Sequence, residues 1–113
     1  MPRPVKTRQI CRYNLPAAFS FSPDDNAGTG VVVMNLDEYE TVRLLDGEGL
    51  TQQECARQMG IARTSVQSIY ESARRKLAQV LINGSRLSIE ESGNCVICDG
   101  RHFCGRPCKF LTE

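Results

Sequence analysis

Residues 50–77 read L-T-Q-Q-E-C-A-R-Q-M-G-I-A-R-T-S-V-Q-S-I-Y-E-S-A-R-R-K-L, and this stretch decides the fold. It opens on a capping box. Thr51 can cap a helix while Glu54, three residues on, returns a hydrogen bond to the cap backbone. Cys55, Ala56 and Met59 fall on one face of that helix, and Gly60 suits its left-handed stop. After G-I-A a longer helix begins near Arg63 and runs to Ile82 or Asn83. Val66, Ile69, Tyr70, Ala73, Leu77, Val80 and Leu81 recur along it at helical spacing, an apolar stripe expected to face a core. The opposite face holds Thr64, Ser68, Glu71 and Arg75, flanked by Gln67 and Ser72.

Working outward, Asn35 can cap an earlier helix, with Glu38 as its box partner, running to about Leu45 before G-E-G at 47–49 interrupts it. V-V-V-M at 31–34 has the β-branched content of a short strand. R-L-S-I at 86–89 alternates and suits a second strand able to pair with the first. Pro16 and Pro23 discourage helix across N-L-P-A-A-F-S-F-S-P, and D-D-N-A-G-T-G is a turn or loop. The fold class expected is mainly α: a three-helix helix-turn-helix core with short flanking strands and a small cysteine-rich metal knuckle. Residues 1–34 form a basic arm and strand, 35–90 the helix-turn-helix domain, and 91–113 a metal-binding tail.

The chain's 113 residues, 41% of them hydrophobic, suffice for one modest core and a small appendage. No apolar run approaches the roughly 20 residues of a membrane span. The opening M-P-R-P-V-K-T-R-Q-I is basic but has no apolar stretch behind it, so no secretory signal is read and a cytoplasmic location is expected. Net charge is only +1, yet it is segregated. Arg3, Lys6, Arg8 and Arg12 stand without an acid among residues 1–12, and Asp37, Glu38, Glu40, Asp46, Glu48 and Glu54 face Arg43 alone. Basic side chains dominate again from Arg57 to Lys109. Such a pattern can attract a polyanion locally, or can simply solvate a dipolar surface.

The demands of a DNA-reading helix-turn-helix are met position by position. Ala56 lets the two helices approach, Gly60 makes the turn, Ile61 plugs the angle, and Val66 and Ile69 anchor the second helix. Thr64, Gln67, Ser68 and Glu71 are the expected base readers, with Ser65 beside them; Gln67 suits adenine and Glu71 suits cytosine. Arg63, Arg74, Arg75 and Lys76 are expected on phosphates, as are Thr51 and Gln52 at the start of the preceding helix. Arg3, Lys6 and Arg8 suit a minor-groove or backbone arm. The same features also fit a helical hairpin in an ordinary core, since apolar stripes are usually core.

The stretch from Leu50 to Leu77 resembles the helix-turn-helix of region 4 of sigma-70-type factors, a winged-helix-like arrangement. More closely, the chain resembles a family of small prokaryotic proteins, domain of unknown function 134, regarded as DNA-binding. The marks are the opening M-P-R-P, then V-V-M-N-L-D-E-Y-E-T-V-R-L-L-D-G-E-G-L-T-Q-Q-E, and S-A-R-R-K-L, covering roughly residues 1–90. Two departures limit what carries over. Ala62 stands where such a helix usually begins with serine, and Thr64, Ser65 and Gln67 stand where sigma-like readers are often arginine and glutamate. The resemblance implies double-stranded DNA as partner, and no particular promoter element.

Near the end, Cys95, Cys98, Cys104 and Cys108 read C-x2-C-x5-C-x3-C, with His102 between the pairs. In a reducing compartment clustered thiols favour metal over disulfides, and four thiolates close a tetrahedral zinc site. Zinc is the expected ion, with His102 the spare donor. An iron–sulfur cluster uses the same ligands, and a tail of free thiols or disulfides is the third reading. Cys55 reads as a small buried hydrophobe, and Cys11 carries no assignment.

Composition weighs against an enzyme: one histidine lies among cysteines, with no phosphate loop and no nucleophile–base pair. C-V-I-C lacks the βαβ context of a thiol redox centre. Three functions therefore stand. The first is a DNA-binding transcriptional regulator, dimeric because one small reading helix gives limited specificity. The second is a redox-sensing regulator carrying a cluster. The third is a protein–protein interaction module that does not bind DNA.

Overall fold

The computed structural model describes residues 7–10, 15–23, 30–91 and 95–97, the last as backbone. Two small sheets and three α-helices make up the described chain. The strands are β1 (Arg8–Ile10), β2 (Ser20–Phe21), β3 (Val31–Asn35), β4 (Arg86–Glu90) and β5 (Cys95–Ile97). The helices are α1 (Leu36–Val42), α2 (Gln52–Met59) and α3 (Arg63–Asn83).

The two strands expected from the sequence, β3 and β4, lie side by side and parallel, with Val32 opposite Leu87 and Met34 opposite Ile89. The pleat explains the sequence. Val32, Met34, Leu87 and Ile89 turn inward while Val31, Val33, Arg86 and Glu90 are exposed. Parallel neighbours need a crossover, and all three helices supply it. β2 adds antiparallel on the other side of β4, giving the order β2–β4–β3. β1 and β5 pair parallel in a second sheet, setting Arg8 opposite Cys95 and Ile10 opposite Ile97. Neither β1 nor β5 was expected as a strand. Three-residue strands carry too short a pattern to stand out from a loop.

Capping places the helices where the sequence puts them. Glu38 Oε1 accepts from the Asn35 amide at 2.8 Å at the head of α1. Thr51 and Glu54 complete the reciprocal box on α2, at 3.1 and 2.9 Å. Gly60 then takes φ +71°, and its amide and that of Ile61 bond back to the Arg57 and Ala56 carbonyls, a Schellman end. Added bulk would be resisted there, because a Cβ at Gly60 would meet Gln9 Cδ at 3.3 Å. Gly84, φ +66°, ends α3.

One boundary differs from expectation. The helix expected to reach Leu45 stops being α at Val42, and residues Arg43–Gly47 form a π-helical turn. Arg43 is held within that region by the carboxylates of Glu40 and Glu48, and Leu44 is fully buried.

The core gathers Ile10, Leu36, Leu44, Cys55, Met59, Val66 and Ala73 between the helices, with Leu87 and Ile89 from the sheet. Burying a side chain of this size contributes about 1.5–3 kcal/mol. Most of the α3 stripe behaves as expected. Val66 and Ala73 are buried, and Ile69, Leu77 and Val80 pack around the core. Two members do not: Tyr70 reaches out to Asp46, and Leu81 is 84% exposed. At about 100° per residue Leu81 lies some 60° round from Val66, at the stripe's margin and in line with Arg74. Ile82, 80% exposed, follows it out.

Candidate nucleic-acid interface

Helix α3 has three sides, and they differ in how much of their chemistry is spent. The apolar side is anchored at its N-terminal end by Val66, while Ile61 fills the angle behind the turn. The outer side presents Arg63, Thr64, Gln67, Ser68 and Glu71, all exposed, with Ser65 half-buried. These are hydrogen-bonding groups in the first three turns of the helix. Ala62 supplies no side-chain cap, so the start of α3 differs from the fully boxed start of α2. Thr51 is exposed but its hydroxyl is engaged by the Glu54 amide, and Gln52 is half-buried.

The basic run R-R-K splits three ways. Arg74 is exposed and lies over the Tyr70 ring, 5.2 Å from its centroid, in a cation–π contact. The Tyr70 hydroxyl donates to Asp46 at 2.8 Å, and that bond raises its pKa above the ordinary value. Arg75 is exposed on an open recess of about 410 Å³ whose wall also carries Ser68, Glu71, Ser72, Lys76 and Gln79. Lys76, in the wall of that recess, bonds to Glu38, Nζ to Oε1 at 2.7 Å, and Ser72 donates to Oε2 of the same carboxylate at 2.6 Å.

Arg8, expected as part of a free basic arm, is placed in β1 with Nε 3.3 Å from Asp37 Oδ2. Asp37 is buried, and burial pushes its carboxyl pKa up while the Arg8 guanidinium pulls it partly back. The acidic segment thus receives cations from elsewhere, Arg8 on Asp37 and Lys76 on Glu38, besides its own Arg43 on Glu40. Sequence reasoning saw Glu38 as a cap and missed its second role. The available signal was the i, i+4 spacing of Ser72 and Lys76, which puts both on one flank of α3.

Arg3, Lys6, Cys11, Cys98, His102, Cys104 and Cys108 lie outside the described residues, and Cys95 is described only as the first residue of β5. Among the described residues no group of three or more His, Cys, Asp or Glu side chains is placed to hold a metal ion. Cys55 is fully buried, and burial first, then the Glu40 carboxylate, pushes its thiol up to about 11. No helix of the described residues is long and apolar enough to cross a membrane.

Residues 1–97 match the family described as Protein of unknown function DUF134. The chain belongs to that family. Among its DUF134 relatives, a UPF0251 protein of Desulfitobacterium hafniense (strain Y51) is 52% identical over 111 residues, covering 96% of this chain and 86% of that protein. A UPF0251 protein of Syntrophobacter fumaroxidans is 40% identical over 115 residues, covering 100% of this chain and 72% of its own length. A UPF0251 protein of Pyrococcus furiosus is 40% identical over 95 residues, 84% of each chain. No solved structure matches.

Proposed function

We propose that this DUF134 protein is a sequence-specific DNA-binding protein, a transcriptional regulator that reads the major groove with α3. In this reading α2, the Gly60 turn and α3 form a sigma-region-4-like helix-turn-helix. The observation that carries it is the exposed row Thr64, Gln67, Ser68 and Glu71 on a helix whose opposite side is anchored by Val66. A major groove about 12 Å wide admits such a helix, and its first turns meet base edges. Gln67 then pairs with adenine and Glu71 accepts from cytosine, while Thr64, Ser65 and Ser68 supply shorter contacts. Arg63, Arg74 and Arg75, exposed along the same helix, and Thr51 with Gln52 serve phosphates. Arg3 and Lys6 complete the footprint as an arm. One reading helix limits specificity, so the binding species is a homodimer on paired half-sites.

The four cysteines 95, 98, 104 and 108 hold one structural zinc ion in this reading, on the strength of their spacing; an iron–sulfur cluster is the alternative with the same ligands. The test is selection of bound duplexes from a random pool, followed by affinity measurements across a salt series, with elemental analysis of the same preparation. A recurring site, a steep salt dependence and a colourless protein with one zinc per chain are expected. Indifference to every duplex would leave the interaction-module reading in its place.

A further inference from the structure

The carboxylate of Glu38 makes more bonds than a cap requires. It is 4% exposed, and its two oxygens take three donors: the Asn35 amide and Lys76 Nζ on Oε1, Ser72 Oγ on Oε2. Ser72 and Lys76 stand one turn apart on α3, about 6 Å along the axis at 1.5 Å per residue. One buried group on α1 therefore grips α3 at two points.

We propose that Glu38 is a positioning residue, with Ser72 and Lys76 as its handles: it sets the rotation of α3 about its own axis, and so which side chains face a bound duplex. The inference rests on the DNA-reading role given above. Apolar packing is non-directional and resists a small rotation of α3 only through the fit of its side chains. Hydrogen bonds resist it directly, because they weaken steeply as their angles open. Ser68 is one turn before Ser72, and Arg75 is next to Lys76, so a slip at the grip displaces readers and phosphate ligands together.

The same geometry reassigns Lys76. Its charge is matched by a buried carboxylate on its own protein, whereas Arg75 makes no ion pair among the described residues. In R-R-K, the arginines meet phosphate and the lysine fixes the helix.

The experiment uses the full chain and measures affinity for a selected duplex and for a scrambled one across a salt series. Arg75→Gln is expected to weaken both duplexes alike and to lower the salt slope by about 0.9, the release from one phosphate. Lys76→Gln is expected to keep the slope but narrow the ratio of selected to scrambled affinity by about tenfold, the equivalent of one misread base pair. Glu38→Gln/Lys76→Gln, which leaves no buried charge alone and keeps the cap acceptor, is expected to recover part of that ratio. Should Lys76→Gln fail to fold, Ser72→Ala removes one handle and keeps the ion pair; a narrowed ratio at constant slope supports the proposal, and an unchanged ratio overturns it. A Lys76→Gln protein with a reduced slope and an intact ratio overturns the positioning role alone. A parent chain that prefers no duplex overturns the DNA reading, and this inference with it.

Discussion

The outer face of α3 and its Glu38 flank are built from the same kinds of residue. Ser68 and Arg75 look outward, and Ser72 and Lys76, a few residues away on the same helix, look toward Glu38. One hydroxyl and one cation are left to solvent; the other pair is consumed by a buried carboxylate. What separates them is what lies opposite. α1 packs against one side of α3 and brings Glu38 with it, while no described element supplies such a carboxylate to Arg75. A charged residue on a helix thus acquires its role from its neighbour across the packing, and the difference can be read as a difference in what each substitution costs.

The largest effect is expected on the committed flank. Glu38→Ala removes the partner of Lys76, Ser72 and the Asn35 amide at once, and should cost about 3 kcal/mol in denaturant unfolding. A loss under a quarter of that would place the flank with the free face. Next comes the turn that aims α3. Gly60→Ala forces a side chain into a left-handed conformation beside Gln9, and a destabilisation of about 1–2 kcal/mol in thermal unfolding is expected. Thr51→Ala, which opens the capping box of α2, should cost about 1 kcal/mol, with Thr51→Ser close to the parent. The smallest effect belongs to the free face: Gln67→Ala and Ser68→Ala should stay within about 0.5 kcal/mol of the parent stability. If either unfolds the protein more readily than Thr51→Ala does, the outer face is structural and the contrast disappears.

Much of this was legible in the chain. The helix starts at Thr51 and Asn35 and the stop at Gly60 follow from local chemistry, because a cap or a left-handed glycine acts within four or five residues. The stripe from Val66 to Val80 was legible because a helix repeats its own geometry. The pairing of β3 with β4 was open to the β-branched content of V-V-V-M and the alternation of R-L-S-I. The π-helical turn at Arg43–Gly47, where Arg43 pairs with Glu40 and Glu48 beside the buried Leu44, was not. Nor was the exposure of Leu81, which fits the period but sits at the edge of the stripe, where only the extent of the packed core decides.

The sequence alone determined where the helices begin, where α2 stops, which face of α3 is apolar, and that α3 carries a polar row from Thr64 to Arg75. These are short-range matters, settled by hydrogen bonds and side-chain spacing within a turn or two. Only the tertiary structure decided which cations are free. Arg8 and Lys76 are bound by Asp37 and Glu38, residues 29 and 38 positions away in the chain, and a charge spends itself on whatever carboxylate the fold brings within reach, however distant in sequence.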